Sequence, residues 1–299
     1  MVSAHNNMKL LDDAEDVPDS ITAANGCVYI VNEKESQMSR IIPFQTLHNI
    51  RDLGGMAAAG GKLIRPGKLI RSGHLSKLSS SDIRLMQELV DTIVDLRSDK
   101  ERQENPDVVI EGVSIVNIPI LDQLTAGVTR EKEADQSIIQ RFLTEPEDAK
   151  EYMCRMYRNF VQDQAVLSYR RFLDCLLAGG EKAVLWHCTA GKDRAGIAAV
   201  HVEEILRVPK EAIRADYLKT NEYLASDIMF LTEVVKKQTG VAGGIVDEAL
   251  RYLFGADEVY LDAWYDEIGK RYGSFENYLR KGLGLSEEDE EFMRERYLA

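Results

Sequence analysis

Short apolar runs alternate with amphipathic stretches over the middle of the chain. The apolar runs predict buried strands at Leu69-Ile70, Thr92–Leu96, Val113–Ile118 and 183–187. Helical spacing occurs in Ser79–Leu89, behind a serine-rich start, and in Ile197–Leu206. Strands that alternate with helices in this way are typical of a mostly parallel sheet flanked by helices. We therefore expect an α/β fold.

Three further stretches flank or interrupt this core. Residues 1–40 are acidic and polar around one apolar run, Cys27–Val31, and are predicted to form an appended strand or hairpin before a main domain at 41–299. A stretch from about 124 to 178 has helical spacing over much of its length and forms an insertion between two predicted strands. The chain from Val208 onward is predicted to be a helical C-terminal region.

Composition narrows the classes of partner. The chain has 299 residues, of which 44% are hydrophobic, and a formal net charge of −13. This length is sufficient for a substantial core. The acidic balance argues against general nucleic-acid binding and against a broad basic face for membranes. It gives no indication of the oligomeric state.

The remaining composition signals concern location and cofactors. No apolar stretch is long enough to span a bilayer, so we expect no integral membrane association. The start of the chain lacks the pattern of a signal peptide, which favours a cytoplasmic location and leaves open export by a route without that signal. The four cysteines and the His, Asp and Glu residues lack metal-ligand spacing, so we expect neither a metal nor another cofactor.

The most informative segment is AVLWHCTAGKDRAG at 183–196. It predicts a buried strand, a tight loop that begins at Cys188 and contains Arg194, and the start of a helix. Unpaired N–H groups and the positive end of the helix dipole favour an anion at such a junction, either a thiolate or a bound phosphate. The preceding residue, His187, is interpreted as an orienting group rather than a general base.

These residue types fit the cleavage of phosphate esters through a cysteinyl-phosphate. Nucleophilic catalysis needs a thiolate, which an ordinary cysteine supplies only in small part at neutral pH. Gly191 allows the backbone turn that directs successive N–H groups inward, and Arg194 can grip two phosphate oxygens with its planar guanidinium. The residues predicted to bind the phosphate are Thr189, Ala190, Gly191, Lys192 and Ala195.

A general acid must protonate the leaving oxygen. The chain from Val116 to Asp122 is typical of a strand that ends at Pro119, followed by an aspartate three residues later. This spacing is similar to the acid loop of dual-specificity phosphatases, so Asp122 is one candidate for the acid. Lys192 is expected either to add positive charge beside the phosphate, which would favour polyphosphorylated headgroups, or to be an exposed loop lysine.

The loop HCTAGKDR at 187–194 resembles that of the bacterial tyrosine-phosphatase family with an extra Lys-Asp before the arginine. This family includes secreted mycobacterial and listerial enzymes that act on phosphotyrosine and phosphoinositides. The segment NIRDLGG at 49–55 is similar to the opening motif of the family. Further similar segments follow in the family's order at 65–72, 95–101, 216–221 and 272–279, so the resemblance extends over about residues 41–299.

The resemblance implies a cysteine-phosphatase fold and adds three expectations. Asp193, inside the loop, becomes a second candidate for the general acid beside Asp122. The insertion at about 124–178 becomes a candidate lid, with plain packing on the sheet as the alternative. Ala195 stands where the family usually has a Thr or Ser that donates to the departing thiolate, so breakdown of the phosphoenzyme is expected to be slow unless another hydroxyl, such as that of Thr189, takes over.

Together these observations predict a cysteine-dependent phosphatase that acts on phosphotyrosine, with phosphoserine, phosphothreonine and phosphoinositides as further candidate substrates. The alternative is a phosphate-recognising module with little turnover, which the loss of the hydroxyl at Ala195 makes conceivable. Sulfur transfer on a cysteine loop is a distant third. Asn49, Arg51 and Asp52 are interpreted as a hydrogen-bonded corner rather than as substrate contacts, and Asp95 with Arg97 as a brace for neighbouring loops.

Overall fold

A computed structural model describes residues 44–120, 141–241 and 243–299 in full, and the backbone of residues 20–24, 27–31 and 40–41. The strands in these parts of the chain are β1 Ser20–Ala24, β2 Cys27–Val31, β3 Arg40–Ile41, β4 Arg51–Asp52, β5 Leu69–Ser72, β6 Val90–Asp95, β7 Ser114–Asn117 and β8 Ala183–His187. The first three form an antiparallel sheet in which β2 pairs with both neighbours. The apolar run predicted at residues 27–31 is therefore a strand, whereas the domain boundary at residue 40 stays a prediction.

The remaining strands form a five-stranded sheet in the order β4-β5-β8-β6-β7. Strand β4 is antiparallel to β5, and the other pairs are parallel. The predicted mostly parallel sheet is therefore confirmed. His187 pairs with both Ser72 and Asp95, so the carboxyl ends of β5, β6 and β8 meet at one edge of the sheet. Ligands commonly bind beyond this edge in open α/β sheets.

Helices cover the sheet and make up the C-terminal region. They are α1 Ser80–Leu89, α2 Asp99–Glu104, α3 Pro146–Asn159, α4 Asp163–Ala178, α5 Asp193–Ile205, α6 Lys210–Tyr223, α7 Ala225–Thr239, α8 Gly244–Phe254, α9 Glu258–Tyr272 and α10 Glu287–Tyr297, with shorter turns at Ala59–Gly61, Phe275–Asn277 and Tyr278–Gly282. Residues 141–144 are also helical. Within the described ranges, no helix is long and apolar enough to cross a membrane.

Side-chain caps fix the beginnings of several helices. The predicted serine cap of α1 is confirmed, because Ser79 Oγ accepts a hydrogen bond from the backbone N–H of Asp82. Reciprocal capping boxes begin α2 at Ser98 and α10 at Ser286. Each cap satisfies N–H groups that have no partner inside the helix. Helix α5 begins at Asp193, four residues before the predicted start. The prediction missed the first turn because that turn is polar and shows no apolar periodicity.

The core lies on both faces of the sheet, as the alternation along β8 requires. Val184 and Trp186 pack in the larger apolar cluster, whereas Ala183 and Leu185 pack in the smaller one. Successive side chains of a strand point to opposite faces, so a strand buried on both sides is apolar throughout. This is why the run at 183–187 predicts a central strand.

Helices α3 and α4 belong to the core. Their buried apolar residues lie in the larger cluster, and Phe172 of α4 packs edge-on against Trp186 with 5.3 Å between ring centroids. The chain turns between the two helices at Phe160, Val161 and Gln162, the first two of which are buried. Helix α4 thus packs on the sheet, whereas α3 packs against α8 and α9. A lid role for the insertion stays a prediction. Residues 124–140 of the predicted insertion lie outside the described residues.

This packing predicts different costs for two substitutions on α4. Phe172→Ala should lower the free energy of unfolding by about 3–5 kcal/mol, because it leaves a cavity beside Trp186. Leu167→Ala, at a position that is 59% exposed on the same helix, should change it by less than about 0.5 kcal/mol. Urea unfolding of both variants measures the difference. Equally small effects would show that α4 is not part of the cooperative core.

Candidate active site

The loop that follows β8 lines a pocket of about 510 Å³. Cys188 is the first residue after the strand, is 3% exposed, and contributes to the pocket wall together with Thr189, Ala190, Lys192, Asp193 and Arg194. Helix α5 begins at Asp193, so its N-terminus adjoins the pocket. The structure therefore brings the predicted nucleophile and the predicted arginine to one cavity at the carboxyl edge of the sheet.

The carbonyl groups of this loop are held from outside the loop. Three donors each bind one carbonyl oxygen: His74 N–H binds Thr189 O at 3.1 Å, Asn49 Nδ2 binds Ala190 O at 3.0 Å, and Arg71 Nη2 binds Gly191 O at 2.9 Å. In a trans peptide unit the N–H group points away from the preceding C=O. The N–H groups that follow these carbonyls are thus directed toward the inside of the loop, as an anion-binding concavity requires.

Position 191 requires a glycine, because of both its backbone conformation and the atoms that surround it. Its φ is +69°, in the left-handed region that favours glycine. A Cβ atom here would lie 2.5 Å from the carbonyl oxygen of Ser72. The loop therefore passes over the end of β5 at a separation that only glycine permits.

A buried ion cluster supports the loop from behind. Asp216 of α6 accepts from Arg51 Nε at 2.9 Å through one oxygen and from Arg71 Nη1 at 3.0 Å through the other. Burial disfavours the charge of Asp216, but the two guanidinium groups outweigh it and lower the pKa of this carboxyl. Arg71 bonds both Asp216 and the loop carbonyl of Gly191, so the cluster and the loop form one network.

The residues predicted to form a corner do so. Asp52 accepts the N–H groups of Gly54 at 2.8 Å and Gly67 at 2.6 Å. Arg51 Nη1 donates to Asn49 Oδ1 at 2.5 Å, and Asn49 in turn donates to the loop. Asn49 and Arg51 are buried, so they position the loop rather than form the surface that a substrate meets.

Arg194 is held by a carboxylate that the sequence analysis did not single out as a site residue. Glu101 binds it with both oxygens, at 2.6 Å from Nη1 and 2.7 Å from Nη2. The hydroxyl of Thr189 also donates to Glu101. The available signal was the capping box of α2, since Ser98 and Glu101 have the Ser-x-x-Glu spacing. That spacing predicts a helix start but does not indicate that the same carboxylate reaches the loop.

This ion pair fixes the charges of both partners. Burial opposes ionisation of Glu101, but hydrogen bonds and charge from Arg194 outweigh it and hold the pKa of the carboxyl well below its usual range. Burial likewise opposes the charge of Arg194, whereas Glu101 and Cys188 raise the pKa of the guanidinium above its ordinary value. A guanidinium has five N–H donors, and Glu101 engages two nitrogens with one donor each. Three donors are not engaged by Glu101, and Nη2, which carries one of them, lies 3.5 Å from Thr189 Oγ1.

The ammonium group of Lys192 is directed away from the centre of the loop. Lys192 is 2% exposed, and its Nζ donates to the carbonyls of Leu253 at 2.9 Å and Gly255 at 3.0 Å. These carbonyls lie at the C-terminus of α8, where a helix favours a cation. Lys192 is therefore not an exposed lysine, and its hydrogen bonds do not place its charge on a substrate.

The two candidate acids differ in what the structure describes. Asp193 lines the pocket, and its Oδ1 accepts a hydrogen bond from the hydroxyl of Tyr157 at 2.7 Å. Asp122 lies outside the described residues, so its role stays a prediction. Ala195 is fully buried in the first turn of α5, and its carbonyl accepts from Trp186 Nε1 at 3.0 Å.

A second acidic cluster lies beside the loop, at the ends of β6 and β8. Asp95, Asp107 and His187 offer ligand atoms within 4.8 Å of one another. Arg97 Nη2 lies 2.8 Å from an oxygen of each aspartate. Burial opposes the charge of Asp107, but His187 and Arg97 lower its pKa to about 2. The guanidinium thus supplies the positive charge that these carboxylates need, and the cluster braces the two strand ends.

Apolar side chains from three helices form one part of the pocket wall, and Thr46, His48, His74, Lys77 and Asp227 form a polar part. Helix α3 contributes Tyr152, Met153 and Met156, α7 contributes Ile228, Phe230 and Leu231, and α8 contributes Leu253 and Phe254. An apolar lining above a few directed polar groups is typical of sites for small aromatic or aliphatic ligands. The site therefore combines an anion-binding base with walls that suit an apolar group.

Comparison with known proteins agrees with this geometry. A sequence model described as the tyrosine phosphatase family matches residues 42–299. The chain is 32% identical, over 86% of its length and 88% of the relative, to a protein of Cupriavidus necator provisionally named a tyrosine-protein phosphatase. It is 29% identical, over 71% of its length and 84% of the relative, to the triple specificity protein phosphatase PtpB of Mycobacterium tuberculosis.

The bidentate pair predicts a role for Glu101 in catalysis. Glu101→Gln should lower kcat/KM for an aryl phosphate by about 10-fold, because an amide cannot accept two charge-assisted hydrogen bonds from Arg194. Asp99→Asn is the matched control on the same helix, since Asp99 is exposed and pairs with Arg102. Steady-state kinetics should show less than about a twofold change for that variant. Equal effects of the two substitutions would contradict the role of the pair.

Proposed function

The chain belongs to the tyrosine phosphatase family. From that premise we propose that it hydrolyses phosphotyrosine through a cysteinyl-phosphate formed on Cys188. The observation that carries the proposal is the loop itself. Its carbonyls at residues 189–191 are bound from outside, its N–H groups are directed inward, and Cys188 and Arg194 line the same cavity. A phosphate in this cavity would meet directed donors on the side opposite to its leaving group.

In the first step, the Cys188 thiolate attacks phosphorus as the bond from phosphorus to the phenolic oxygen breaks. The inward N–H groups and the donors of Arg194 that Glu101 does not engage stabilise the charge on the equatorial oxygens. A protonated Asp193 gives its proton to the departing oxygen, which leaves as the neutral phenol. The products are a cysteinyl-phosphate, an ionised Asp193 and the dephosphorylated tyrosine.

In the second step, water attacks the phosphorus and the bond from sulfur to phosphorus breaks. Asp193 accepts a proton from the attacking water and returns to its starting state. Inorganic phosphate and the Cys188 thiolate are released. Neither step requires a metal or an organic cofactor.

The position of Asp193 supports its role as the acid. Asp193 lines the pocket in the described structure, at the start of α5 and five residues beyond Cys188. Asp122 remains the alternative, since the described chain ends at buried Ile120, only two residues before it. Substituting each aspartate by asparagine separates the two possibilities through the dependence on leaving group.

The pocket favours an aryl phosphate as substrate. Aromatic and aliphatic side chains such as Tyr152, Met156 and Phe254 line the space next to the loop. A phenyl ring gains from burial against such walls, whereas an inositol ring carries hydroxyls or further phosphates that need polar partners. The ammonium of Lys192 is already bonded to two carbonyls. Phosphoinositides, phosphoserine and phosphothreonine are therefore secondary candidates.

A phosphate-recognising module with little turnover is the second candidate function. It is favoured by Ala195, which has no hydroxyl to donate to a departing thiolate. Thr189 does not replace that hydroxyl in the present geometry, because its proton is donated to Glu101. The steady-state rate of phosphate release distinguishes a slow phosphatase from a binding module.

Replacing the nucleophile tests the proposed mechanism. Cys188→Ser should abolish release of inorganic phosphate while binding of a phosphotyrosine peptide is retained, because a serine hydroxyl stays protonated in this loop. Malachite-green assays on phosphotyrosine, phosphoserine and phosphothreonine peptides and on phosphoinositides, with a chelator present, measure both activity and preference. Substantial turnover by Cys188→Ser would overturn the cysteinyl-phosphate mechanism. A preference for phosphoinositides would overturn the substrate class.

The missing hydroxyl at position 195 predicts that the phosphoenzyme accumulates. Rapid mixing of the wild type with p-nitrophenyl phosphate should give a burst of nitrophenol close to one equivalent per site, followed by a slower steady state. Ala195→Ser should shrink the burst and raise the steady-state rate by about 10-fold. Ala198→Ser, which adds the same hydroxyl to a buried position one turn later, should leave both unchanged. A linear time course for the wild type would mean that breakdown is not limiting.

A further inference from the structure

A line of buried hydroxyl groups leads to Asp193. The hydroxyl of Tyr157 on α3 donates to Asp193 Oδ1 at 2.7 Å, and the hydroxyls of Tyr157 and Tyr217 on α6 are also 2.7 Å apart. Both tyrosines are 0% exposed. The backbone of Asp257 provides a further hydrogen bond to Tyr217. Helices α3, α5 and α6 are thus connected by hydrogen bonds that end on one carboxyl oxygen.

The direction of these hydrogen bonds follows from counting protons. Each phenol has one hydrogen to donate. Tyr157 gives its hydrogen to Asp193, so in the bond between the two tyrosines Tyr217 must be the donor. Burial raises the pKa of both phenols well above the ordinary value, which keeps them protonated donors across the physiological range. The line therefore has one polarity, toward Asp193.

This polarity distinguishes the two oxygens of Asp193. Oδ1 accepts from Tyr157, and Lys192 Nζ lies 3.4 Å from the same oxygen. Among the residues that the structure describes, none forms a hydrogen bond with Oδ2. An oxygen that already accepts from a phenol is a poor place for a proton, because the two hydrogens would meet. The proton of a neutral Asp193 is thus expected on Oδ2.

The aromatic packing around Tyr157 makes this arrangement rigid. Its ring contacts Phe160 and Tyr260, with centroids 5.3 Å away in each case, and Tyr217 at 6.3 Å. Tyr260 is equally buried, but its hydroxyl donates to the carbonyl of Tyr252 at 2.8 Å. The cluster therefore contains one tyrosine aimed at Asp193 and a neighbouring one aimed elsewhere.

We propose that Tyr157 is a positioning residue for the general acid: it fixes the carboxyl of Asp193 through Oδ1 and leaves Oδ2 to deliver the proton. The inference rests on the proposed function of Asp193 as the acid. As the bond from phosphorus to the leaving oxygen breaks, the proton moves from Oδ2 to that oxygen. The resulting carboxylate keeps its hydrogen bond to Tyr157. Tyr217 acts one step further back, by holding the hydroxyl of Tyr157.

Leaving-group dependence tests this proposal. Phenyl phosphate needs protonation of its leaving group, whereas 2,4-dinitrophenyl phosphate loses a stable anion. We compare kcat/KM, which reports cleavage of the ester even if breakdown of the phosphoenzyme limits kcat. Asp193→Asn should lower kcat/KM by about 100-fold for phenyl phosphate and by less than about threefold for the dinitrophenyl ester. Tyr157→Phe should give the same pattern, with a loss of about 10-fold for phenyl phosphate.

Two further variants separate positioning from general loss of structure. Tyr260→Phe removes a buried phenol from the same aromatic cluster, without a bond to Asp193, and should change kcat/KM for neither ester. Tyr217→Phe should reproduce the leaving-group pattern of Tyr157→Phe with a smaller loss. In the Asp193→Asn background, Tyr157→Phe should have no additional effect on phenyl phosphate, because the group it positions is gone.

The outcomes distinguish the role of Asp193 as the acid from the positioning role of Tyr157. If Asp193→Asn shows no leaving-group dependence, Asp193 is not the acid, and both that assignment and the role of Tyr157 fall. If Asp193→Asn shows the dependence but Tyr157→Phe lowers both esters equally, or matches Tyr260→Phe, the positioning role alone is overturned. Additive losses in the double variant would also overturn it.

Discussion

The structure around the pocket depends on the capture of loop carbonyls by side chains from outside the loop. A backbone that turns its N–H groups inward must turn its carbonyls outward, and buried carbonyls need partners. Asn49 and Arg71 supply two of them, and Asp216 holds Arg71 in place with the help of Arg51. Charged residues far apart in the sequence are buried together because each completes the hydrogen bonds of another. Removal of any one would leave a buried polar group of another without its partner, in a medium that penalises isolated charge.

Glu101 likewise contributes both to the fold and to the proposed catalytic site. Glu101 begins α2 through its bond to the backbone of Ser98, accepts the hydroxyl of Thr189, and holds Arg194. One carboxylate thereby fixes a helix start, a loop hydroxyl and the guanidinium that is proposed to bind phosphate. Because the proton of Thr189 is committed to Glu101, the missing hydroxyl at Ala195 is not replaced from within the loop. The slow breakdown of the phosphoenzyme that we expect from Ala195 therefore depends also on the hydrogen bond from Thr189 to Glu101.

Sequence patterns predicted four of the five strands of the larger sheet, helix α1, most of α5 and the helical character of the C-terminal region, because these depend on the period of apolar residues. The individual C-terminal helices, β4 and α2 were not predicted. The patterns failed where partners come from distant segments. The ammonium of Lys192 is bonded at the end of α8, about 60 residues later, so its direction could not be inferred from the loop. Glu101 has a local capping signal that hides its second role. The insertion at about 124–178 has helical spacing over much of its length, yet the structure ends one helix and begins another at residues 160–162. The apolar residues Phe160 and Val161 lie in this turn, so the apolar pattern continues through it and hides the break.

The balance of charges around the loop explains why the loop must be held in place by the buried cluster. The charged groups around the loop and the pocket are the cations Arg51, Arg71, Lys77, Lys192 and Arg194 and the carboxyl groups of Glu101, Asp193, Asp216 and Asp227, to which the proposed mechanism adds the Cys188 thiolate. These charges nearly cancel, and the whole chain carries −13, so no strong net positive field draws a phosphate dianion in. Affinity must come from short, directed hydrogen bonds, whose strength falls steeply with distance and angle. A site of this kind works only if its donors are held before the ligand arrives. The buried Arg51, Asp216 and Arg71 cluster provides that hold.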